Sequence, residues 1–247
     1  MSVAGGDNGI YGSGRLSDGL PSLVAAANEL RSPLALIRQL SLMLDDDSVG
    51  SDDKKAMIDQ ISLTTERTLR LTSDLTKSAQ LADGLFKMEP IDPQLLCEQI
   101  VSELRPMFMA HSRDLKLAAR RHPLLLIANR DLLTRIVMNF SDNALHYADP
   151  SSPIEIQLST LNFGQTVRLA VRDFGPALPI DTLDSLDSRL RKNAKSAIFA
   201  RPRSSGLGLY IARQFADVMN GRIGIIRHRD GSTFYIDLQA SSQLSLL

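Results

Sequence analysis

Apolar residues near the start of the chain recur at alternating spacings of three and four, which is typical of a helix that packs in a bundle. The set comprises Leu20, Leu23, Ala27, Leu30, Leu34, Ile37 and Leu44, and Ser41 interrupts it. Pro33 lies inside this stretch and removes one backbone hydrogen bond, so we expect a kink after Asn28 and Glu29. The pattern predicts one long helix.

Residues 45–53, DDDSVGSDD, are rich in residues that end or cap helices, which predicts the turn of a helical hairpin. A second helix is predicted from Lys54 to about Asp83, with a weaker stripe of Met57, Ile61, Thr64, Thr68, Leu71 and Leu75. Two helices do not enclose a core, whereas a four-helix bundle does. We therefore expect dimerisation to supply the other two helices. Docking of the hairpin on the rest of the same chain is the alternative.

The helical pattern breaks over residues 84–93, and beyond it predicted helices alternate with predicted strands. We expect a helix near residues 93–110, strands near 115–119, 124–128, 154–161 and 167–172, a helix from Gly206, and a final hairpin of strands 222–229 and 232–238. Strands and helices in series favour an α/β sandwich in which helices cover one face of a mixed sheet. The predicted fold is α+β: a flexible tail over residues 1–18, an antiparallel helical hairpin over 19–85, and the sandwich domain over 86–247.

Composition excludes several functional classes. Hydrophobic residues make up 43% of the 247 residues and charged residues 23%, which is too apolar for a disordered chain. Lys plus Arg and Asp plus Glu each number 28, so no strong field recruits nucleic acid or an anionic membrane. The single cysteine, Cys97, forms no internal disulfide, and no apolar run is long enough to cross a bilayer. We therefore expect a cytoplasmic chain without a membrane span.

Candidate chemistry begins in residues 130–149, RDLLTRIVMNFSDNALHYAD, whose apolar positions have helical spacing. Asn139 and Asn143 are four residues apart, so they lie one turn above each other on one face of the predicted helix. An amide carbonyl is a hard oxygen ligand that suits Mg2+, and a helix holds it rigidly, so the pair could hold a metal-bound phosphate. Taken alone, two capping or surface asparagines are the simpler interpretation.

Glycine-containing stretches follow this helix. Asp173, in VRDFGPALP, can accept hydrogen bonds from an exocyclic amine such as that of adenine, or it can cap the turn. In SSGLGL, Gly206 and Gly208 stand at a helix start, where backbone N–H groups approach phosphate oxygens. A simple loop is the commoner explanation of such a pair. The stretch DGSTF, residues 230–234, is interpreted as a hairpin turn without chemistry.

Together and in this order, the motifs resemble those of the cytoplasmic core of a two-component sensor histidine kinase, a member of the GHKL ATP-binding group. NFSDNALHY, residues 139–147, resembles the N box; DFGPA, residues 173–177, the G1 box; and GLGL, residues 206–209, the G2 box. NELRSPL, residues 28–34, resembles the H box on the first hairpin helix. The resemblance covers roughly residues 20–240.

This resemblance implies a dimerisation and histidine-phosphotransfer hairpin joined to a domain that binds Mg-ATP under a mobile lid. The positions that it implies in nucleotide binding are Asn139, Asn143, His146, Tyr147, Asp173, Gly175, Ala177, Gly206, Leu207, Gly208 and Leu209. Among them, Asn143 is the implied Mg2+ ligand and Asp173 the acceptor of the adenine amine. ATP-hydrolysing relatives of the gyrase and chaperone kind have a glutamate at the position of Asn139. An amide cannot accept the proton of the attacking water, so phosphoryl transfer is favoured over hydrolysis.

Asn28 departs most from the family, because it stands at the position of the phosphoaccepting histidine. An amide nitrogen is delocalised and not nucleophilic, so Asn28 cannot carry the phosphoryl group. Glu29 resembles the general base of the family, and Ser32 stands where a residue commonly orients water for dephosphorylation of a response regulator. An exposed acid and a surface serine are the simpler interpretations of these two residues. Ala177 replaces a glycine of the G1 box, and the basic segment 181–203 is either a lid or a solvated loop.

The resemblance leaves different functions open. The first is a histidine-kinase-type phosphotransferase that uses ATP and Mg2+, as a homodimer or in a mixed dimer with a histidine-bearing kinase, in a phosphorelay with the receiver domain of a response regulator. The second is a pseudokinase scaffold or response-regulator phosphatase that uses ATP as a conformational ligand. The third, a mechanical ATPase, is disfavoured by Asn139.

Overall fold

The computed structural model describes residues 20–46, 48–81, 86–118, 124–149, 152–176 and 207–242. Over these residues the chain forms a helical hairpin followed by helices packed on a mixed β-sheet, so the predicted α+β fold is confirmed. The predicted tail and the basic segment 181–203 lie outside the described residues. In the described part of the chain, no helix is both long and apolar enough to cross a membrane.

The hairpin consists of α1, Leu20–Leu44, and α2, Ser51–Gln80. Helix α1 continues through Pro33. Helix α2 begins before the predicted Lys54, and its first turn carries Asp52 and Asp53, whose negative charges interact favourably with the positive end of the helix dipole. The acidic run that predicted a turn therefore serves both as the connection and as the start of α2.

The apolar stripes of the two helices differ in burial. On α2 the predicted stripe is half-buried, and its residues Thr64 and Thr68 each donate a hydroxyl hydrogen bond to the carbonyl oxygen one turn earlier. Among the α1 side chains that the structure describes, Ala26 and Leu40 are buried, whereas Leu34 of the predicted apolar set is 55% exposed. Within one chain, part of the predicted apolar set of α1 is therefore left uncovered, and its burial in a dimeric bundle stays a prediction.

The second domain is built from three helices and seven strands among the described residues. These are β1 (Glu89–Ile91), α3 (Pro93–Ala110), β2 (Leu115–Ala118), β3 (Leu126–Ala128), α4 (Arg130–Tyr147), β4 (Ile154–Leu161), β5 (Thr166–Phe174), α5 (Leu207–Val218), β6 (Arg222–His228) and β7 (Gly231–Gln239). Side-chain caps fix two helix starts: Asp92 accepts from the N–H groups of Gln94 and Leu95, and Asn129 accepts from that of Leu132. These caps explain why the predicted and observed starts of α3 and α4 coincide.

Five strands form the main sheet in the order β2-β4-β5-β7-β6, and β1 pairs with β3 in a separate two-stranded sheet. Strand β2 is parallel to β4, and the other neighbours in the main sheet are antiparallel. Strand β5 pairs with β7 along its whole length, which places Asp173 directly opposite Ser232. This strand order places the C-terminal end of β5 next to the β6–β7 turn, at one end of the sandwich.

The core lies between the helices and the sheet. The predicted core positions of α4 are all buried: Leu132, Leu133, Ile136, Val137, Phe140 and Leu145. The ring centre of Phe140 lies 5.8 Å from that of Phe234 on β7, so α4 packs directly against the sheet. Cys97 on α3 is also buried, and this burial raises the pKa of its thiol to about 12.

Candidate functional site

A cavity of about 590 Å³ lies between the hairpin and the helices α4 and α5. Its wall includes the following candidate residues from the sequence: Asn28, Glu29, Ser32, Asn139, Asn143, Gly208 and Leu209. Helix α1 contributes the first three, α4 the asparagines, and the start of α5 the last two. The structure therefore brings the H-box-like, N-box-like and G2-box-like residues around one space.

The two asparagines of α4 form one wall of this cavity. Asn139 and Asn143 lie one turn apart, and the amide of Asn139 lies 3.5 Å from the carbonyl oxygen of Gly208. A Cβ atom on Gly208 would lie 3.9 Å from Cγ of Asn139, so the face of α5 without a side chain is turned towards the amides. Amide oxygens can ligate Mg2+, and the backbone N–H groups of a helix start can donate hydrogen bonds to phosphate, so this arrangement fits a magnesium-bound phosphate.

Asp173 lies near the end of β5 and is buried, with 1% of its surface exposed. Its Oδ1 accepts a hydrogen bond of 3.1 Å from the N–H of Ser232, and its Oδ2 accepts one from the hydroxyl of Ser232. An ionised carboxylate only accepts hydrogen bonds, which suits it to contact an amine. The sequence did not indicate Ser232, because residues 230–234 were interpreted as a turn alone. Its importance follows from its position opposite Asp173 in the β5–β7 register.

Backbone hydrogen bonds hold the neighbourhood of Asp173. The N–H of Gly175 donates to the carbonyl oxygen of Asp230 at 3.0 Å, and the N–H of Asp149 donates to that of Phe174 at 2.7 Å. The second bond ties the chain after α4 to the end of β5, so Asn143 and Asp173 belong to the same end of the sandwich. Asp173 is not part of the described wall of the 590 Å³ cavity.

A charged contact fastens the hairpin to this domain. On α2 the side chain of Asp74 is 4% exposed, and its Oδ1 lies 3.4 Å from Nε of Arg135 on α4. Desolvation raises the pKa of Asp74 to about 6, against the opposing charges of Arg135, Lys77 and Arg70, and the charge of Asp142 adds to the rise. Lys77 also pairs with Asp131 at 3.3 Å, and Ser78 bonds Gln214 of α5. No sequence motif marked these residues.

Some of the predicted nucleotide-binding positions, or their side chains, lie outside the described residues. Ala177 and Gly206 lie outside the described residues. His146 and Tyr147 belong to α4, but their side chains lie outside the described part of the structure. Leu207, the first residue of α5, is buried at 1% exposure.

Comparison with known families agrees with this architecture. Residues 128–242 match the sequence model of the histidine kinase-, DNA gyrase B-, and HSP90-like ATPase family. This region spans α4, α5 and four strands of the main sheet, and it contains Asn139, Asp173 and Gly208. Residues 128–242 therefore form a domain of this ATPase family.

The similarity to sensor histidine kinases extends beyond that domain. The chain is 28% identical to the sensor protein kinase PmrB of Pseudomonas aeruginosa, over 83% of this chain and 42% of the relative. It is 29% identical to the swarming motility regulation sensor protein RssA of Serratia marcescens, over 87% of this chain and 45% of the relative. The chain, which is related to the sensor histidine kinases, thus spans about half the length of these curated relatives.

Solved structures share the fold. Full-length ShkA, crystallised in complex with AMPPNP, matches 92% of this chain and 47% of its own length, with a TM-score of 0.60 and 19% identity. Histidine kinase ThkA, crystallised in complex with the response regulator protein TrrA, matches 92% of this chain and 63% of its own length, with a TM-score of 0.63 and 17% identity. Both matches include the hairpin, so the hairpin-plus-sandwich arrangement is that of histidine kinases.

Proposed function

We propose that this chain is a two-component signalling protein of the sensor histidine kinase type, which binds Mg-ATP and acts with the receiver domain of a response regulator. One observation carries the proposal: the H-box-like residues of α1 and the asparagines of α4 line the same cavity. A phosphoryl donor bound to the asparagines would therefore lie beside the hairpin surface from which histidine kinases transfer phosphate. The response-regulator complex of ThkA supports the choice of partner.

The residues have distinct roles in this proposal. The oxygen of Asn143 holds Mg2+ with Asn139 beside it, and the start of α5 at Gly208 approaches the phosphates, with Gly206 before it. Asp173 accepts the hydrogen bond of the adenine amine, and Ser232 orients the Asp173 carboxylate. His146, Tyr147, Gly175, Ala177, Leu207 and Leu209 complete the nucleotide site by resemblance. Bound Mg-ATP supplies the transferable phosphoryl group.

Asn28 prevents the chain from phosphorylating itself at the position of the family's histidine. It lies in the cavity wall beside Glu29, but its amide offers no nucleophilic lone pair. The chain therefore binds ATP without phosphorylating itself at this position, and it phosphorylates a histidine on a partner kinase in a mixed dimer. Glu29 keeps the family position of the general base beside Asn28, so it would accept the proton of a histidine introduced at position 28 of this chain.

Dimerisation is supported by exposed apolar side chains on the hairpin. Leu34 on α1 and Ile58 and Leu69 on α2 are 55%, 56% and 64% exposed. Burying these side chains against a second hairpin would complete a four-helix bundle. The proposed setting is the cytoplasm, where ATP and receiver domains are found together.

Incubation with γ-labelled ATP and Mg2+ tests the proposal. We expect no label on the natural chain or on Asn28→Ala, and an acid-labile, alkali-stable label on Asn28→His, because only imidazole provides the missing nucleophile. Addition of Asn143→Ala to Asn28→His should abolish the label. Histidine phosphorylation of the natural chain would contradict the role given to Asn28, and an unlabelled Asn28→His chain that binds Mg-ATP would contradict the kinase assignment.

A response-regulator phosphatase is the second candidate, favoured by the exposure of Ser32 on α1 next to the cavity. A receiver domain phosphorylated with a small-molecule phosphodonor should lose its phosphate faster with this chain and ATP, and Ser32→Ala should remove the acceleration. Ser41→Ala, an exposed serine further along α1, is the matched control. Receiver binding without acceleration would favour a scaffold.

A further inference from the structure

A buried guanidinium lies behind Asp173. Arg172 of β5 is 6% exposed, and its Nη2 lies 2.6 Å from Oδ1 of Asp230 in the β6–β7 turn. Its Nη1 donates to the carbonyl oxygens of Asp173 and, at 3.3 Å, Ser232, while the guanidinium lies 4.3 Å from the ring centre of Phe174. One side chain thus connects β5, the turn and the first residues of β7.

The glycine of the turn leaves the space that this side chain uses. Gly231 has a φ of +137°, and a Cβ atom there would lie 2.6 Å from Nη1 of Arg172 and would also collide with the carbonyl oxygen of Asp173. Because glycine has no Cβ, the turn can approach the end of β5 closely. The Arg172 contact and the Gly175–Asp230 backbone bond then hold the turn at this distance.

Holding the turn fixes Ser232, and Ser232 fixes the carboxylate of Asp173. Both oxygens of Asp173 accept a hydrogen bond from Ser232, so the orientation of the carboxylate is fixed. An acceptor-only group favours the amine of adenine and repels the carbonyl oxygen that guanine has at the same place. The strength of that discrimination depends on how rigidly the carboxylate is held.

We propose that Arg172 is a positioning residue for base recognition, an inference that rests on the proposed nucleotide site. By holding the Asp230-Gly231 turn in place, Arg172 keeps Ser232 bonded to Asp173. This contact sets the preference for adenine over guanine nucleotides. Arg172 does not touch the base in this arrangement. It acts through Ser232, and Asp230 is its partner in the clamp.

The chain offers a matched control on the same strand. Arg168 of β5 also pairs with a β7 aspartate, Asp237, through two bonds of 2.6 and 2.8 Å, and its guanidinium lies 3.6 Å from the ring centre of Tyr235. It is therefore a second ion pair between β5 and the β6–β7 hairpin, and it lies away from the turn. A purely structural effect of losing such a pair should appear at both positions.

The test is calorimetric measurement of the dissociation constants of Mg-ATP and Mg-GTP with the full chain. We expect the natural chain to bind ATP more tightly than GTP. Arg172→Lys and Asp230→Ala should each reduce the ratio of the GTP to the ATP dissociation constant at least about threefold, mainly by weakening the binding of ATP. Arg168→Lys should leave the ratio unchanged. The Asp230 side chain is 67% exposed, so Asp230→Ala keeps the test available if the Arg172 variant does not fold.

An unchanged ratio in the folded clamp variants would overturn the inference, as would an equal loss in Arg168→Lys. The two failures are distinguishable from failure of the proposed function. If the natural chain binds neither nucleotide, or shows no preference for ATP, the nucleotide site itself is wrong. If it prefers ATP and the clamp variants keep that preference, only the role of Arg172 is wrong.

Discussion

Asn28 and Gly208 line the same cavity, and the role proposed for each depends on a group that its side chain lacks. Asn28 lacks a nucleophilic lone pair, whereas Gly208 lacks the Cβ that would project towards Asn139. Such residues could be identified from sequence because the motif positions are specific in residue type. Ser232 could not, since its significance comes from pairing with a strand far away in sequence.

Replacing Gly208 with alanine should lower the affinity for Mg-ATP without lowering the thermal stability of the chain. The added methyl group would make only ordinary contact, at 3.9 Å from Asn139, and alanine is the better helix former, so Tm should stay constant or rise. If phosphates approach the backbone of Gly208, the affinity for Mg-ATP should fall about tenfold, equivalent to about 1.4 kcal/mol. Calorimetry and thermal unfolding measure the two effects. Unchanged affinity would exclude close phosphate approach at Gly208.

At the scale of elements, apolar spacing and helix caps determine where two helices of the second domain begin. Helices α3 and α4 have regular apolar spacing and side-chain caps, so their starts were predicted correctly. Strand β1 was missed because its three residues include Pro90 and show no alternation, and it is defined by pairing with β3. Strand β5 continues past the predicted Arg172 to Phe174 because β7 supplies a partner along its length.

The contact between α2 and α4 should make stability depend on pH. The pKa of Asp74 is about 6, above its ordinary value of 3.8, so the folded chain holds this proton more tightly than the unfolded chain. Stability should therefore fall as pH rises from about 4 to about 6 and stay lower above that range. Asp74→Asn should remove this loss and raise Tm at pH 8 by about 3 °C.

Thermal unfolding at pH 5 and pH 8 measures the effect of Asp74→Asn. Asp131→Asn, which removes the exposed partner of Lys77, is the control and should keep the pH profile of the natural chain. A lower Tm for Asp74→Asn at pH 8 would mean that pairing with Arg135 outweighs desolvation of the carboxylate.

At the scale of the whole molecule, the hairpin and the sandwich domain meet at a cavity that both polar and apolar side chains line. Periodicity predicted both bodies, but it did not predict how they meet, because the contact depends on charges such as Asp74 and Arg135 that carry no pattern. Docking of the hairpin on the same chain, weighed from the sequence as an alternative to dimerisation, is present in the structure. The exposed leucines of the hairpin show that this docking still leaves apolar surface uncovered.

A charged residue on that uncovered surface should prevent dimerisation. Leu69→Asp places a carboxylate in the proposed bundle interface, where its burial would cost several kcal/mol, so the proposed dimer should become a monomer. Leu95→Asp is the control, because Leu95 is a similarly exposed leucine, 56% against 64%, on α3 outside the hairpin. Sedimentation equilibrium measures both. A natural chain that stays monomeric at tens of micromolar would remove the basis for the bundle.

The threonines of α2 have a mechanical consequence. Thr64, Thr65, Thr68, Thr72 and Thr76 each bond to the carbonyl oxygen one turn earlier. A carbonyl shared between an amide and a hydroxyl holds the helical ladder less firmly, and such helices bend more easily. We therefore expect α2 to bend more easily than a helix without these bonds, so that bending or twist applied at its N-terminal end would be partly taken up as curvature before it reached the sandwich domain.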